Sequence, residues 1–368
     1  MAHDLPLCHL NLFHNLSEPS FRAQILALKN DLPDCDDAMV MTRLMAIIAS
    51  VGDAHTTLIP RVNRYLPFEF YWFAEGLHIV AAPPELQNWL GAKIVAVEDQ
   101  PIEAVIEALT GILSHENQAF VMSLLPSYLA AAELLYGLEI CDNTENIQLT
   151  LQKPDEIPKE LTVQTISSSS RLESFVRLEQ ALPVLPLYRQ RRDQSIWFTD
   201  AAPDCIYVQY NACRETLDCP MNTVFEDLIA RIEDQQPAQI IIDLRDNGGG
   251  DSTLLEPLIH DLSTFPVKVF VIIGRNTFSS ALLNSFALQR LAGATVVGEP
   301  SGGKPNCYGE VKYLTLNNSK MQVRYSTQYY HLIEDDMLLS MMPDLPCPVM
   351  LADYISGQDP CLAAILKI

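Results

Sequence analysis

Four short stretches of this chain carry residue types that could carry out acyl transfer. In VFVIIGRNTFSSALLNSFALQ, Ser279 and Ser280 fall between an apolar run that reads as a strand and a periodic run that reads as a helix. A hydroxyl there is exposed to the positive end of the helix, as a nucleophile requires. AQIIIDLRDNGGGDS ends in Gly248, Gly249 and Gly250, whose backbone N–H groups can converge on a developing oxyanion. ATVVGEPSGGKPNCYGE places Lys304 in a glycine-rich loop, and a neutral, desolvated lysine can deprotonate a serine. Far upstream, ASVGDAHTTL holds Asp53 and His55 at the end of a predicted helix, and an imidazole is the natural general base near neutral pH.

Each stretch alone has an ordinary explanation. A serine before a helix is most often an N-cap, a glycine run is a turn, a loop lysine is a solvated charge, and a histidine after a helix is a cap or a core residue. The chemistry rests on their joint occurrence. One apparent motif fails: Gly298 to Lys304 fits G-x-x-x-x-G-K, but Pro305 stands where a phosphate-binding loop needs Ser or Thr, so nucleotide binding is not expected.

The elements that must position these residues follow from hydrophobic period. From about residue 200, CIYVQYNA, TVFEDLIARIED, AQIIIDL, TLLEPLIHDL, VKVFVIIG, SALLNSFALQRLAG and ATVVG alternate as strands and helices, the pattern of a largely parallel α/β sheet with its chemistry just past the strand ends. Residues 1–64 read as a helical cap and 65–112 as a small β-rich unit followed by the helix PIEAVIEALTGIL. Residues 113–199 read as a connecting region of helix and strands, with the serine run at 167–170 as a linker. The stretch VKYLTLNNSKMQVRYSTQYY within the 200–368 core reads as a hairpin turned at Asn317 and Asn318.

Taken together and in order, IIIDLRDNGGG, NTFSSALLN and VVGEPSGGKP resemble the tail-specific, or carboxyl-terminal processing, serine protease family, whose core is similar to the ClpP and crotonase folds. GLHIVAAPPELQNWLGAKIVAVEDQPIEAVIEAL resembles a degenerate form of the family's PDZ-like domain, and VGDAHTTL resembles a segment of its tricorn-like relatives. The resemblance implies a serine endopeptidase that hydrolyses polypeptides through an acyl-enzyme, with no metal and no organic cofactor. The family's Thr-x-Ser-x-Ala pattern falls on Thr277, Ser279 and Ala281, which makes Ser279 the implied nucleophile. The oxyanion would be held by the Ser280 N–H and by Gly248 or Gly249. Two bases are implied: Lys304 in a serine–lysine dyad, or His55 in a tricorn-like triad with Asp336 as the acid. Leu282 replaces the glutamate usual in the dyad pattern, and Tyr308 or a neighbour replaces its glutamine. The near-neutral titration of an imidazole favours His55, because a lysine would need its pKa depressed by about three units.

Composition sets the outer bounds. Lys plus Arg number 24 against 46 Asp plus Glu, a net charge of −22 that repels nucleic acid and anionic lipid. Hydrophobic residues make up 48% and no run has the length of a membrane span, so a soluble protein is expected. The N-terminal stretch has no recognisable signal peptide, giving a cytoplasmic expectation that a processed, exported form would also satisfy. Nine cysteines lack metal-type spacing, Cys213 and Cys219 being the nearest approach, and are expected to be reduced. His3, His9 and His14 fall in a stretch expected to be mobile. Two other functions sit on the same fold, a non-catalytic polypeptide- or ligand-binding protein and an acyl-CoA enzyme. Intact Ser279 and His55 argue against the first, and the serine–lysine spacing argues against the second.

Overall fold

A computed structural model describes residues 1–169, 175–216 and 220–368. Ser170, the end of the serine run read as a linker, and Cys219 lie outside the described residues. The fold is mixed α/β and divides into two compact units, one of residues 1–116, 121–181 and 307–330, the other of residues 117–120, 182–306 and 331–368.

The second unit is built on a six-stranded sheet. Its order is Ile196–Ala202, Cys205–Tyr210, Gln239–Asp243, Lys268–Ile273, Thr295–Gly298 and Leu345–Pro346, with the first pair antiparallel and every later pair parallel. The uninterrupted apolar runs of the central strands follow from cover on both faces. Ile240, Ile242, Val269, Val271 and Val296 point into one core, and Ile241, Phe270, Ile272 and Val297 into another, in strict alternation. Helices Met221–Gln235, Glu256–Leu262 and Ser280–Leu291 close the first face. The first of these buries Met221, Phe225, Leu228 and Ile232, a stripe at helical spacing, and stops at Gln236 in the left-handed conformation. Helix Pro360–Ile365 brings Cys361 and Ile365 against the second face. Each fully buried Ile or Phe contributes ~1.5–3 kcal/mol, so this two-sided core holds the strand ends rigidly.

The first unit contains a seven-stranded and a three-stranded sheet. Its larger sheet is seven-stranded and antiparallel where paired, and strands Asn146–Gln152 and Lys159–Gln164 join the same sheet as Gly76–Ala82 and Lys93–Val97. The strands read as a connecting region thus extend the β-rich unit. Ile147, Leu149 and Leu151 alternate inward along Asn146–Gln152, which supplies the shared core. The smaller sheet has the order Thr57–Leu58, Gln322–Tyr330, Cys307–Thr315. The expected hairpin therefore forms, but it packs with the N-terminal residues, because Thr57 and Leu58 pair with Arg324 and Val323. Helix Asp37–Ala49 begins at an Asp36 cap that accepts from the Ala38 and Met39 N–H groups, both at 2.9 Å, and delivers the chain through Gly52 at φ 76° to Asp53 and His55.

No helix among the described residues is long and apolar enough to cross a membrane.

Candidate active site

In the second unit the parallel strands send the loops after Asp243, Ile273 and Gly298 to one edge of the sheet, where hydrogen bonds tie them together. Thr277 is the central tie. Its buried hydroxyl donates to the Leu244 carbonyl at 2.8 Å and accepts from the Gly274 N–H at 2.9 Å, while its carbonyl accepts from the Gly303 N–H at 3.0 Å. The Phe278 N–H donates to the Asn247 carbonyl at 3.2 Å. Arg275 pairs with Glu299 at 2.6 Å, joining the second loop to the third.

Ser279 sits at the resulting strand-to-helix turn with φ 52° and ψ −127°. A non-glycine residue held there costs ~1–3 kcal/mol, which the surrounding ties must offset. It precedes helix Ser280–Leu291 without making a side-chain cap bond, so the ordinary capping explanation does not account for it. Among the described residues its hydroxyl has no hydrogen-bond partner, and the residue is half-buried. Ser280 is buried and its hydroxyl donates to the Gly250 carbonyl at 2.6 Å, fixing the helix start against the glycine run.

Gly249 lies directly behind Ser279: a Cβ there would sit 2.9 Å from Ser279 Cβ and 2.9 Å from the Ser280 nitrogen, at φ 103°. Its N–H is already used, donating to Asn247 Oδ1 at 2.9 Å. Among the described residues the N–H groups of Gly248 and Ser280 have no acceptor. Asn247 was not singled out from the sequence, yet it is buried and also donates through Nδ2 to the Tyr210 carbonyl at 2.9 Å. The Asn-Gly step that shapes such turns was the available signal. Behind this loop, Arg245 bonds Asp243 at 2.9 Å and Asp359 at 2.9 Å and 3.0 Å, all three buried.

Lys304 is half-buried and follows Gly303, whose added Cβ would lie 3.4 Å from Phe278 Cα. Its loop is thus packed beside the serine turn. Asp336 belongs to the same unit, but its carboxylate is 70% exposed, accepts from Asn306 Nδ2 at 2.6 Å and lies 4.0 Å from His331 Nε2. Among the described residues it has no hydrogen bond to Ser279 or Lys304.

In the first unit His55 is buried at 6% exposure. Burial pushes its imidazole down to about 4, with Arg324 adding to the effect, while the Asp53 charge and the neighbouring Tyr308 backbone oppose it. The ring is therefore neutral near pH 7. The carboxylate beside it is that of Asp53, fully buried, whose Oδ1 accepts from the His55 N–H at 2.9 Å. Burial alone would raise the Asp53 carboxyl, but donors from His9, Thr56 and Ser326 outweigh it and hold the group at about 2. His9 was expected in a mobile stretch. Instead it is buried, with Nε2 3.0 Å from Asp53 Oδ2, and no local sequence signal marks it because its partner lies far along the chain.

Comparison with solved structures gives the fold. The chain is similar to mature CPAF complexed with lactacystin, at 13% identity over 94% of this chain and 91% of that one, with a TM-score of 0.67. It is similar to the CPAF S499A mutant at 13% identity over 99% of this chain and 94% of that one, with a TM-score of 0.67. The similar structures also include a photosystem II D1 C-terminal processing protease, at 14% identity over 98% of this chain and 96% of that one, where a TM-score of 0.43 is too low to argue from. No protein-family model and no curated protein matches the chain.

Proposed function

We propose that this protein is a serine peptidase of the tail-specific type that cleaves polypeptides through an acyl-enzyme on Ser279. The observation that carries the reading is the Ser279 turn: a strained, uncapped serine at the start of a helix, with two acceptor-free N–H groups, those of Gly248 and Ser280, on the segments packed against it. A sharp strand-to-helix turn exposes a hydroxyl and offers helix amides to the same reacting carbon.

In the proposed reaction Ser279 Oγ attacks the scissile carbonyl carbon as its proton passes to the base. The carbonyl oxygen becomes an oxyanion held by the Gly248 and Ser280 N–H groups. Gly248 is preferred over Gly249 because the Gly249 N–H is committed to Asn247. Collapse expels the amine, which takes the proton back from the base, and water attacks the acyl-enzyme by the same route to release the acid. His55 is the proposed base, since a neutral imidazole accepts a proton without first losing one. The reaction requires its ring to come within ~2.6–3.2 Å of Ser279 Oγ or of a bridging water. The Asp53 carboxylate favours the imidazolium that forms, and Lys304 serves as a cation of the loop beside the turn. A PDZ-like role for the β-rich unit and a ClpP-like ancestry of the core belong to the same proposal.

The test is digestion of an unfolded protein, reduced and carboxymethylated casein, followed by gel electrophoresis and by mass spectrometry of the fragments. Wild type should yield discrete new termini and Ser279→Ala none. Equal cleavage by both proteins would refute the assignment.

A further inference from the structure

The N-terminal segment carries a residue that the peptidase reading does not use. His9 is buried between Asp53 and the Tyr308 ring of strand Cys307–Thr315. Its Nδ1 accepts the Asn11 N–H at 3.0 Å, so in the neutral ring the proton sits on Nε2, which donates to Asp53 Oδ2 at 3.0 Å. The same oxygen accepts from Ser326 Oγ at 2.7 Å and Thr56 Oγ1 at 2.5 Å, and the other oxygen accepts from the His55 backbone N–H at 2.9 Å. A second route runs through Tyr308. The His9 ring lies 5.4 Å from the Tyr308 ring, Asn11 Nδ2 donates to the Tyr308 hydroxyl at 3.0 Å, and the Tyr308 backbone lies against the His55 imidazole. The Leu10 N–H donates to the Ser326 carbonyl at 3.1 Å, so the segment bearing His9 is itself fixed.

We propose that His9 is a positioning residue for His55: by donating Nε2–H to Asp53 it fixes the carboxylate that fixes the His55 backbone, while its ring supports the Tyr308 segment beside the imidazole. The consequence for catalysis rests on the reading of His55 as the base. Glutamine can place an Nε2–H donor where the histidine has one. Asparagine is too short, and phenylalanine keeps the ring packing on Tyr308 but has no donor.

The test compares His9→Gln, His9→Asn and His9→Phe in the full chain, each checked for cooperative urea unfolding. With a fluorophosphonate probe, His9→Asn and His9→Phe should lower the maximal labelling rate of Ser279 by about 10²-fold with the probe's half-saturating concentration unchanged, as expected for a base displaced by about 1 Å. His9→Gln should stay within about threefold of wild type. The second readout is the His55 ring Cε1–Hε1 signal in histidine-labelled Ser279→Ala protein, assigned with His55→Gln. That signal should move in the Asn and Phe variants and not in the Gln variant. Should either the Asn or the Phe variant fail to fold, the other carries the comparison. Three equal variants, or an unmoved His55 signal, would overturn the proposal. The spectroscopic arm needs no peptidase activity, so if wild type is never labelled the peptidase reading fails while the His9 assignment is still decided.

Discussion

Replacing His55 by glutamine should remove a proton-linked part of the stability of the N-terminal unit. In the folded protein burial holds the imidazole at about 4, whereas its ordinary value is 6.5. Between these values the unfolded chain binds a proton that the folded chain does not, so stability falls as the pH drops from 6.5 towards 4. The stabilisation relative to a charged ring is present above the unfolded value and lost on acidification through the window. One pKa unit corresponds to about 1.4 kcal/mol, which gives a loss of about 2 kcal/mol between about pH 7 and about pH 4.5. Glutamine keeps a polar side chain but does not titrate. The Asp53 carboxyl, held at about 2 against 3.8, loses its contribution only below that window. His78, which burial also pushes down, is present in both proteins and cancels in the comparison. The measurement is urea unfolding at the two pH values in a Trp197→Phe background, where Trp72 and Trp89 report on the unit containing His55. Wild type should lose about 2 kcal/mol more than His55→Gln on acidification. Equal losses would refute the buried, neutral imidazole.

Other perturbations address the serine turn and its support. Thr277→Val leaves the buried Gly274 N–H without an acceptor and should destabilise the second unit by ~1–3 kcal/mol in urea unfolding, whereas a change below about 0.5 kcal/mol would contradict the tie. Gly249→Ala places a Cβ 2.9 Å from both Ser279 Cβ and the Ser280 nitrogen, and fluorophosphonate labelling should fall by ~10²-fold, the scale of a lost oxyanion donor. Asp359→Ala leaves buried Arg245 with Asp243 alone and should cost ~3–5 kcal/mol, read from the urea midpoint. Lys304→Ala should change the labelling rate by less than about threefold while His55→Ala lowers it ~10²–10⁴-fold; the reverse order would make Lys304 the base.

The parallel sheet was legible because strands covered on both faces must be apolar along their buried length, and III at 240–242 and VFVII at 269–273 are. Order along such a sheet then brings the loops after each strand to one edge, so Gly248, Ser279 and Lys304 could be grouped from sequence. Pairing across long separations was not legible. Nothing local in Asn146–Gln152 says that it joins the strand at Lys93–Val97, and nothing in the hairpin at 307–330 says that it pairs with Thr57 and Leu58. His9 failed for the same reason: its meaning comes from a buried carboxylate 44 positions away. Asn247 has little in its local sequence to mark it beyond the Asn-Gly step, although its side chain commits the Gly249 N–H and so distinguishes Gly248. The place of Asp336 near Pro343-Asp344 marks it in the sequence, but exposure is a tertiary property and the buried acid beside His55 is Asp53.

Whether Ser279 is a nucleophile is decided by reacting the protein with a fluorophosphonate probe at neutral pH and locating the adduct by peptide mass spectrometry. One modified residue is expected, Ser279, with labelling abolished in Ser279→Ala and by prior heat denaturation. An unlabelled, folded wild-type protein, or an adduct on any other residue, would contradict it.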